Sequence, residues 1–243
     1  MQRHLFLRAH AHRWDEERAW ETPDATLLRV RREGTAREPG RPAARVQLVG
    51  TGRPDALAEL LVQAAADAGG PASAMLTRGT WALVPPEVRA RYALVTGRGW
   101  DWMWSTTPPA PQPGEDRVAP MGTGREDEVR ACLAVAYPET SADPGDQALA
   151  WWGYRDEDGL LRGVVAVHAP DDGGIHLSGL GTDQRWRRRG VASAMMAAVT
   201  RWGLTQRPYV HYGIWADNDA ARRVYTRLGY RVGHEVENLA PEG

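Results

Sequence analysis

Two stretches of the chain carry residue types and spacings that can do chemistry. Residues 177–193, LSGLGTDQRWRRRGVAS, run from an apolar alternating segment through a basic, glycine-containing turn into an apolar helix. A helix start presents unpaired backbone N–H groups and a partial positive charge, so it is a natural seat for a pyrophosphate. Gly190 would let the backbone come close to the phosphates, and Ala192 keeps the next contact small. Residues 216–230, ADNDAARRVYTRLGY, form the second stretch. Asn218 can cap a helix on which Ala221, Val224, Tyr225 and Leu228 repeat at helical spacing, with Gly229 as its stop. Spacing alone leaves Tyr225 open as a core aromatic or as a reactive phenol.

Composition decides how much weight these signals take. All 30 basic residues are arginine, which excludes Schiff-base and pyridoxal enzymes and any GxxxxGK[ST] phosphate loop. It also discounts the arginines at 187–189, because an ordinary strand-to-helix turn in such a chain would read alike. Phe6 is the single phenylalanine, and isoleucine and asparagine occur only at 175 and 214 and at 218 and 238. Their codons, like those of lysine, are AT-rich, so a GC-rich, bacterial genome is expected. Against that background an asparagine at 218 is informative.

A net charge of -1 and a pI near 6.7 give no basic excess of the kind a general nucleic-acid binder needs. Cys132 is the lone cysteine, so neither an intramolecular disulfide nor a cysteine zinc site can form. His4, His10 and His12 lack an acidic or cysteine partner nearby, and no metal site is expected. The lone GxG at 50–52 reads as a turn, and the GxGxxG of a dinucleotide site is missing. The first residues lack a hydrophobic signal core, and no run of about 18 apolar residues occurs. The expectation is a soluble cytoplasmic protein with no membrane or nucleic-acid partner.

The elements that must position these residues follow from hydrophobic period and turn chemistry. Residues 105–116, STTPPAPQPGED, suit an extended linker and divide the chain into 1–112 and 113–243. In the first part, strands are expected at 26–30, 44–49, 72–76 and 100–104, with a helix over 54–68. Trp100, Trp102 and Trp104 alternate, which puts three indoles on one strand face, either in the core or as a wall of an acceptor pocket with Trp151 and Trp152. In the second part, a short strand at Val118 precedes a helix over 125–137 and a strand over 148–154. Strands at 160–168 and 175–182 are joined by a PDDGG hairpin turn. A helix over 189–204, a strand over 209–215, a helix over 219–228 and a strand from 230 to about 236 complete an α+β fold. Its sheet is mixed and mostly antiparallel, with flanking helices.

The two stretches together resemble the acyl-CoA-binding core of the GCN5-related N-acetyltransferases (GNAT). The [RQ]-x-x-G-x-[GA] pattern falls on Arg187, Gly190 and Ala192. The N-x-x-A-x-x-x-Y-x-x-L-G-[FY] pattern falls on Asn218, Ala221, Tyr225, Leu228, Gly229 and Tyr230. The resemblance covers about residues 116–238, and HLSGLGT at 176–182 is most similar to the FR47-like branch. It implies a first half that is a degenerate copy of the same fold, and an N-acyltransferase using acetyl-CoA as cosubstrate, with a small-molecule or peptide amine as acceptor. It further implies that the strand ending Leu180-Gly181-Thr182 splays from its neighbour and holds the pantetheine arm. The amides of Arg187, Arg188, Arg189, Gly190, Val191 and Ala192 would hold the pyrophosphate. Asn218 would meet the pantetheine region, Tyr225 would protonate the departing thiolate, and an N–H near Leu180 would face the oxyanion.

Many members of that superfamily place a glutamate on or near the strand before the phosphate turn, and residues 175–182 contain none. His176 and Ser178 share a strand face there, which makes His176 the candidate base. The missing carboxylate also motivates an alternative expectation, an acyl-CoA-binding regulatory module without turnover.

Overall fold

The computed structural model describes residues 3–33, 44–66, 70–170 and 173–242. In chain order the elements are α1 (Leu5–His10), β1 (Asp15–Glu21), β2 (Ala25–Glu33), β3 (Ala44–Gly52), α2 (Pro54–Ala64), β4 (Ser73–Thr77), α3 (Thr80–Leu83), α4 (Pro86–Tyr92), β5 (Val95–Thr96) and β6 (Trp100–Ser105). They continue with β7 (Val118–Pro120), α5 (Glu126–Ala136), β8 (Leu149–Arg155), β9 (Leu161–His168), β10 (Ile175–Thr182), α6 (Val191–Gln206), β11 (Val210–Trp215), α7 (Asp219–Arg227) and β12 (Arg231–Ala240). The chain divides into two compact units, with one boundary inside β6 between Trp102 and Met103. Residues 215–217 and 233–243 join the first unit, and 218–232 the second.

In the first unit β1, β2 and β3 form an antiparallel meander, β4 lies parallel to β3, and β12 pairs antiparallel with β4 and β5. Pro54 fits the first position of α2, where the N–H it lacks has no helical partner. The buried side of that helix, Leu57, Leu60, Leu61 and Ala64, packs on Leu27, Leu48 and Leu76. Each such leucine contributes about 1.5–3 kcal/mol of burial. Residues 67–69, at the expected end of this helix, lie outside the described residues. In β6, Asp101, Trp102 and Met103 are all buried, so both faces of the strand are covered and alternation alone does not describe it. Arg78 holds the Asp101 carboxylate at 2.6 Å.

His234 is buried on β12 against Phe6, ring centroids 4.6 Å apart. Burial, with smaller contributions from His4 and Arg78, pushes its pKa down to about 3. The folded chain therefore holds this ring neutral while the unfolded chain protonates it below its ordinary value of about 6.5. That contribution is complete above about pH 6.5 and is lost as the pH falls from there toward 3. Urea midpoints measured between pH 7 and pH 4 are expected to fall, and His234→Leu is expected to flatten that slope. An unchanged slope in the variant would assign the acid sensitivity elsewhere.

The second unit repeats the order of the first: antiparallel strands, a helix, then a parallel strand. Its strands run β11-β10-β9-β8-β7, all antiparallel except β10 with β11. β9 is apolar on both faces because both are covered. Val165 and Val167 meet Val191, Ala194, Met195 and Val199 of α6. Val164 and Ala166 meet Val129, Cys132, Leu133 and Ala136 of α5. The β9–β10 pairing bears out the expected hairpin, although turn residues 171 and 172 lie outside the described residues. The proline-rich segment after β6 is tied to α6, since Arg201 donates to the Pro109 carbonyl at 3.1 Å and pairs with Glu115. No helix among the described residues is long and apolar enough to cross a membrane.

Candidate functional site

The parallel pairing of β10 with β11 covers Ile175↔Val210, His176↔His211 and Leu177↔Tyr212, and ends there. Both strands run on, β10 to Thr182, so a wedge opens between them beyond Leu177 and Tyr212. A register shift between Ser178 and Gly181 in the β9 pairing marks a bulge at that point. Gly179 sits in the bulge with φ +58, and a Cβ there would meet Ala142 at 2.9 Å and Trp151 at 3.2 Å. Past the bulge Gly181 and Thr182 rejoin the β9 ladder, opposite Val164 and Gly163, while pairing with β11 has already ended at Leu177.

Beyond Thr182 the chain makes a short 3-10 turn, Gln184–Trp186, capped by the Asp183 carboxylate on the Arg185 N–H at 3.0 Å. Arg188 then has φ +63 and Gly190 φ +85. Left-handed residues in such a turn point neighbouring N–H groups into one concavity, the form of an anion nest. Among the described residues, the N–H groups of Arg188, Arg189 and Gly190 make no backbone hydrogen bond. The helix proper starts at Val191, so Arg189 and Gly190 belong to the turn and not to the helix expected from 189.

The arginine side chains have other work. Arg187 donates to the Ala136 carbonyl at 3.1 Å and the Thr182 carbonyl at 3.4 Å, fixing the turn to the end of α5. Arg189 lies over the Trp186 ring at 4.9 Å. The nest is therefore built of backbone, which fits a chain where arginine is simply the available cation.

The matching junction of the first unit is different. Arg53 alone joins β3 to α2; its N–H donates to the Asp24 carbonyl at 2.9 Å and its side chain pairs with Asp24 and Asp55. Two carboxylates beside a spent amide disfavour an anion there.

Asn218 caps α7, its Oδ1 accepting the Ala221 N–H at 3.1 Å. That leaves its –NH2 as the group able to meet a ligand. Tyr225 is buried on the same helix, with ring centroids 5.1 Å from Tyr212 and 5.9 Å from Tyr230. Burial pushes its phenol well above the usual range, and the facing Tyr212 adds to this. Tyr212 is pushed up to about 12 by burial, against a smaller downward pull from the neighbouring Tyr225 hydroxyl and Leu180 backbone. Both phenols hold their protons throughout the physiological range, as a proton donor must. Tyr230 is held apart by a 2.6 Å bond between its hydroxyl and Thr200.

On the opposite face of β10, His176 stands directly across from His168 on β9 and His211 on β11. The His176 and His211 rings are 4.9 Å apart, with His211 fully buried and His176 partly exposed. No three His, Cys, Asp or Glu side chains among the described residues are arranged to hold a metal. Cys132 is buried in α5 with its thiol pushed up to about 11, mainly by burial, so it is a poor nucleophile.

At the end of the β10–β11 pairing the structure places Tyr225 against Tyr212, with Asn218 capping the helix that carries Tyr225 and the turn at 187–192 following β10, while His176 lies just before the parting, across from His211. Sequence reasoning missed Tyr212, His168 and His211. The histidines become neighbours only through strand register, and Tyr212 lies in a strand that no motif marks.

Residues 115–230 match the family described as "Acetyltransferase (GNAT) family". Solved structures share the fold along almost the whole chain. A GNAT-family protein from Novosphingobium aromaticivorans is 17% identical, with a TM-score of 0.53 over 98% of this chain and 96% of that one. A GCN5-related N-acetyltransferase from Kribbella flavida is 19% identical, with a TM-score of 0.54 over 98% and 93%. A tandem GNAT protein from the clavulanic acid biosynthesis pathway is 14% identical, with a TM-score of 0.50 over 98% and 94%. The comparison with curated proteins returned no match.

Proposed function

We propose that this chain, a member of the acetyltransferase (GNAT) superfamily through residues 115–230, transfers an acetyl group from acetyl-CoA to a primary amine of a small molecule or peptide. The observation that carries the reading is the run from a parting pair of strands, β10 and β11, into a backbone nest whose amides are unspent at the start of α6. The pyrophosphate would sit on the amides of Arg188 through Ala192, where backbone N–H groups and the helix start favour negative charge. The pantetheine arm would follow Leu180, Gly181 and Thr182, with the Asn218 –NH2 beside it. Residues 1–112 serve on this reading as a degenerate copy of the fold with no acyl-CoA seat, and residues 113–243 as the transferase domain.

Transfer is direct. The buried Cys132 thiol cannot serve as an acyl carrier, so the amine attacks the thioester while both substrates are bound. His176, backed by His211, takes the amine proton. Tyr225, held neutral by burial, is the source of the proton for the departing thiolate.

The test is thiol release from acetyl-CoA in the presence of benzylamine, an aliphatic diamine and a peptide with a free amino terminus. Turnover with at least one amine is expected, lowered about tenfold or more in Tyr225→Phe. Acetyl-CoA binding with no turnover on any amine would replace the transferase reading with that of an acyl-CoA-binding module.

A further inference from the structure

The turn that carries the nest is tied to the β8–β9 hairpin through three charged side chains. Asp156, the first residue after β8, is buried, and its Oδ1 accepts the N–H groups of Asp158 at 3.0 Å and Leu160 at 2.9 Å. An aspartate that closes a turn on its own backbone has its carboxylate fixed in direction. Its second oxygen, Oδ2, accepts from Arg162 Nε at 2.6 Å. The same guanidinium reaches on through Nη1 to Asp183 Oδ2 at 3.3 Å. The other Asp183 oxygen takes the Arg185 N–H at 3.0 Å, inside the 3-10 turn that leads to the nest. Arg162 holds Asp183 by its backbone too, since its carbonyl accepts the Asp183 N–H at 2.8 Å. Its guanidinium carbon lies 5.3 Å from the centre of the Trp186 ring, the ring that also carries Arg189 at 4.9 Å. The side chains of Asp156, Asp183 and Arg162 are 3%, 17% and 23% exposed. Ion pairs on an open surface contribute little, but a shielded planar fork shared by two carboxylates fixes direction as well as distance.

We propose that Arg162 is a positioning residue for the acyl donor, holding Asp183 and Trp186 so that the amides of Arg188 through Ala192 stay aimed at the pyrophosphate. The inference rests on the seating of the pyrophosphate in that turn. Arg188 has φ +63, a conformation that a residue with a side chain adopts reluctantly, so the turn needs support from outside itself. The N–H groups of Arg188, Arg189 and Gly190 make no backbone hydrogen bond among the described residues, so the shape of the turn is set by its flanks. Arg187, bonded to the Ala136 and Thr182 carbonyls, is one anchor, and Asp183 on Arg162 is the other. The consequence is selective. Loss of Arg162 weakens the hold on the pyrophosphate end of the donor and leaves the reacting thioester as it was.

The experiment uses two donors, acetyl-CoA and S-acetylpantetheine, which carries the same thioester and arm but no pyrophosphate. Wild type, Arg162→Met, Arg162→Lys, Asp183→Ala and the Arg162→Met, Asp183→Ala double variant are compared, with affinity for both donors measured by titration and rates by the best amine of the panel. Arg162→Met keeps the aliphatic stem but leaves the buried Asp156 carboxylate without its cation, which endangers folding. Asp183→Ala cuts the same link and leaves the Asp156–Arg162 pair whole, and circular dichroism checks every fold. Arg162→Met and Asp183→Ala are each expected to weaken acetyl-CoA binding and raise its KM about tenfold, with kcat at saturation and S-acetylpantetheine affinity within about twofold of wild type. The double variant is expected to lose no more than either single one, because the two residues act in one link. Arg162→Lys, which keeps the charge but not the fork, is expected to fall between wild type and Arg162→Met. Unchanged acetyl-CoA affinity in Asp183→Ala or in any folded Arg162 variant, or equal losses on the two donors, would overturn the positioning role and leave the pyrophosphate seat standing. A wild type that binds acetyl-CoA no more tightly than S-acetylpantetheine would overturn the seat and the positioning role together.

Discussion

Replacing Gly190 by glutamate is expected to weaken acetyl-CoA binding by at least about 10²-fold, or ~2.7 kcal/mol. Two effects converge at this position. The residue has φ +85, which costs a side-chain-bearing residue about 1–2 kcal/mol, so the turn itself is strained by any substitution. A Cβ built there has no neighbour within 4 Å, so a side chain at this position meets open space. A carboxylate placed beside the nest would then both fill that space and repel the pyrophosphate. Gly190→Ala separates the two contributions, since it carries the strain without the charge and is expected to bind with an intermediate loss. Equal affinity of the glutamate variant and wild type would remove the nest from the site.

His176→Gln is expected to lower kcat/KM about 10²-fold while leaving acetyl-CoA affinity unchanged, as the loss of a positioned base does. The separation follows from geometry: His176 points to the face of β10 opposite that of Leu177, while the nest lies beyond the end of the strand. His211, 4.9 Å away ring to ring, is fully buried and so is not open to the amine. Initial rates at saturating acetyl-CoA decide the matter. A rate within about threefold of wild type would mean that the amine loses its proton to water, and His176 would return to the role of a half-buried strand residue.

The parts of the site that were legible in the sequence are those built from local backbone. The nest depends on a glycine just ahead of a helix, and the cap depends on an asparagine three residues ahead of the N–H it satisfies, so Gly190 and Asn218 could be read at their own positions. Strand and helix order in the second unit followed from apolar period for the same reason, although α6 begins at Val191 because the left-handed Gly190 cannot be helical. Tyr212 and the histidine row were not legible, because their meaning comes from register. His176 gains His211 as a neighbour only when β10 and β11 pair in parallel at that position, and the same pairing ends one residue later at Tyr212. The first unit was read less completely. Its edge strand β1 is charged and exposed along most of its length, so period offers nothing there, and α3 is only a single turn.

The central claim is that the wedge and the nest together form one acyl-CoA seat. Isothermal titration of the full chain with acetyl-CoA tests it most directly. The predicted result is saturable binding of one acetyl-CoA per chain, lost in Gly190→Glu while the variant stays folded by circular dichroism. No binding by wild type, or the same isotherm for both proteins, would contradict it.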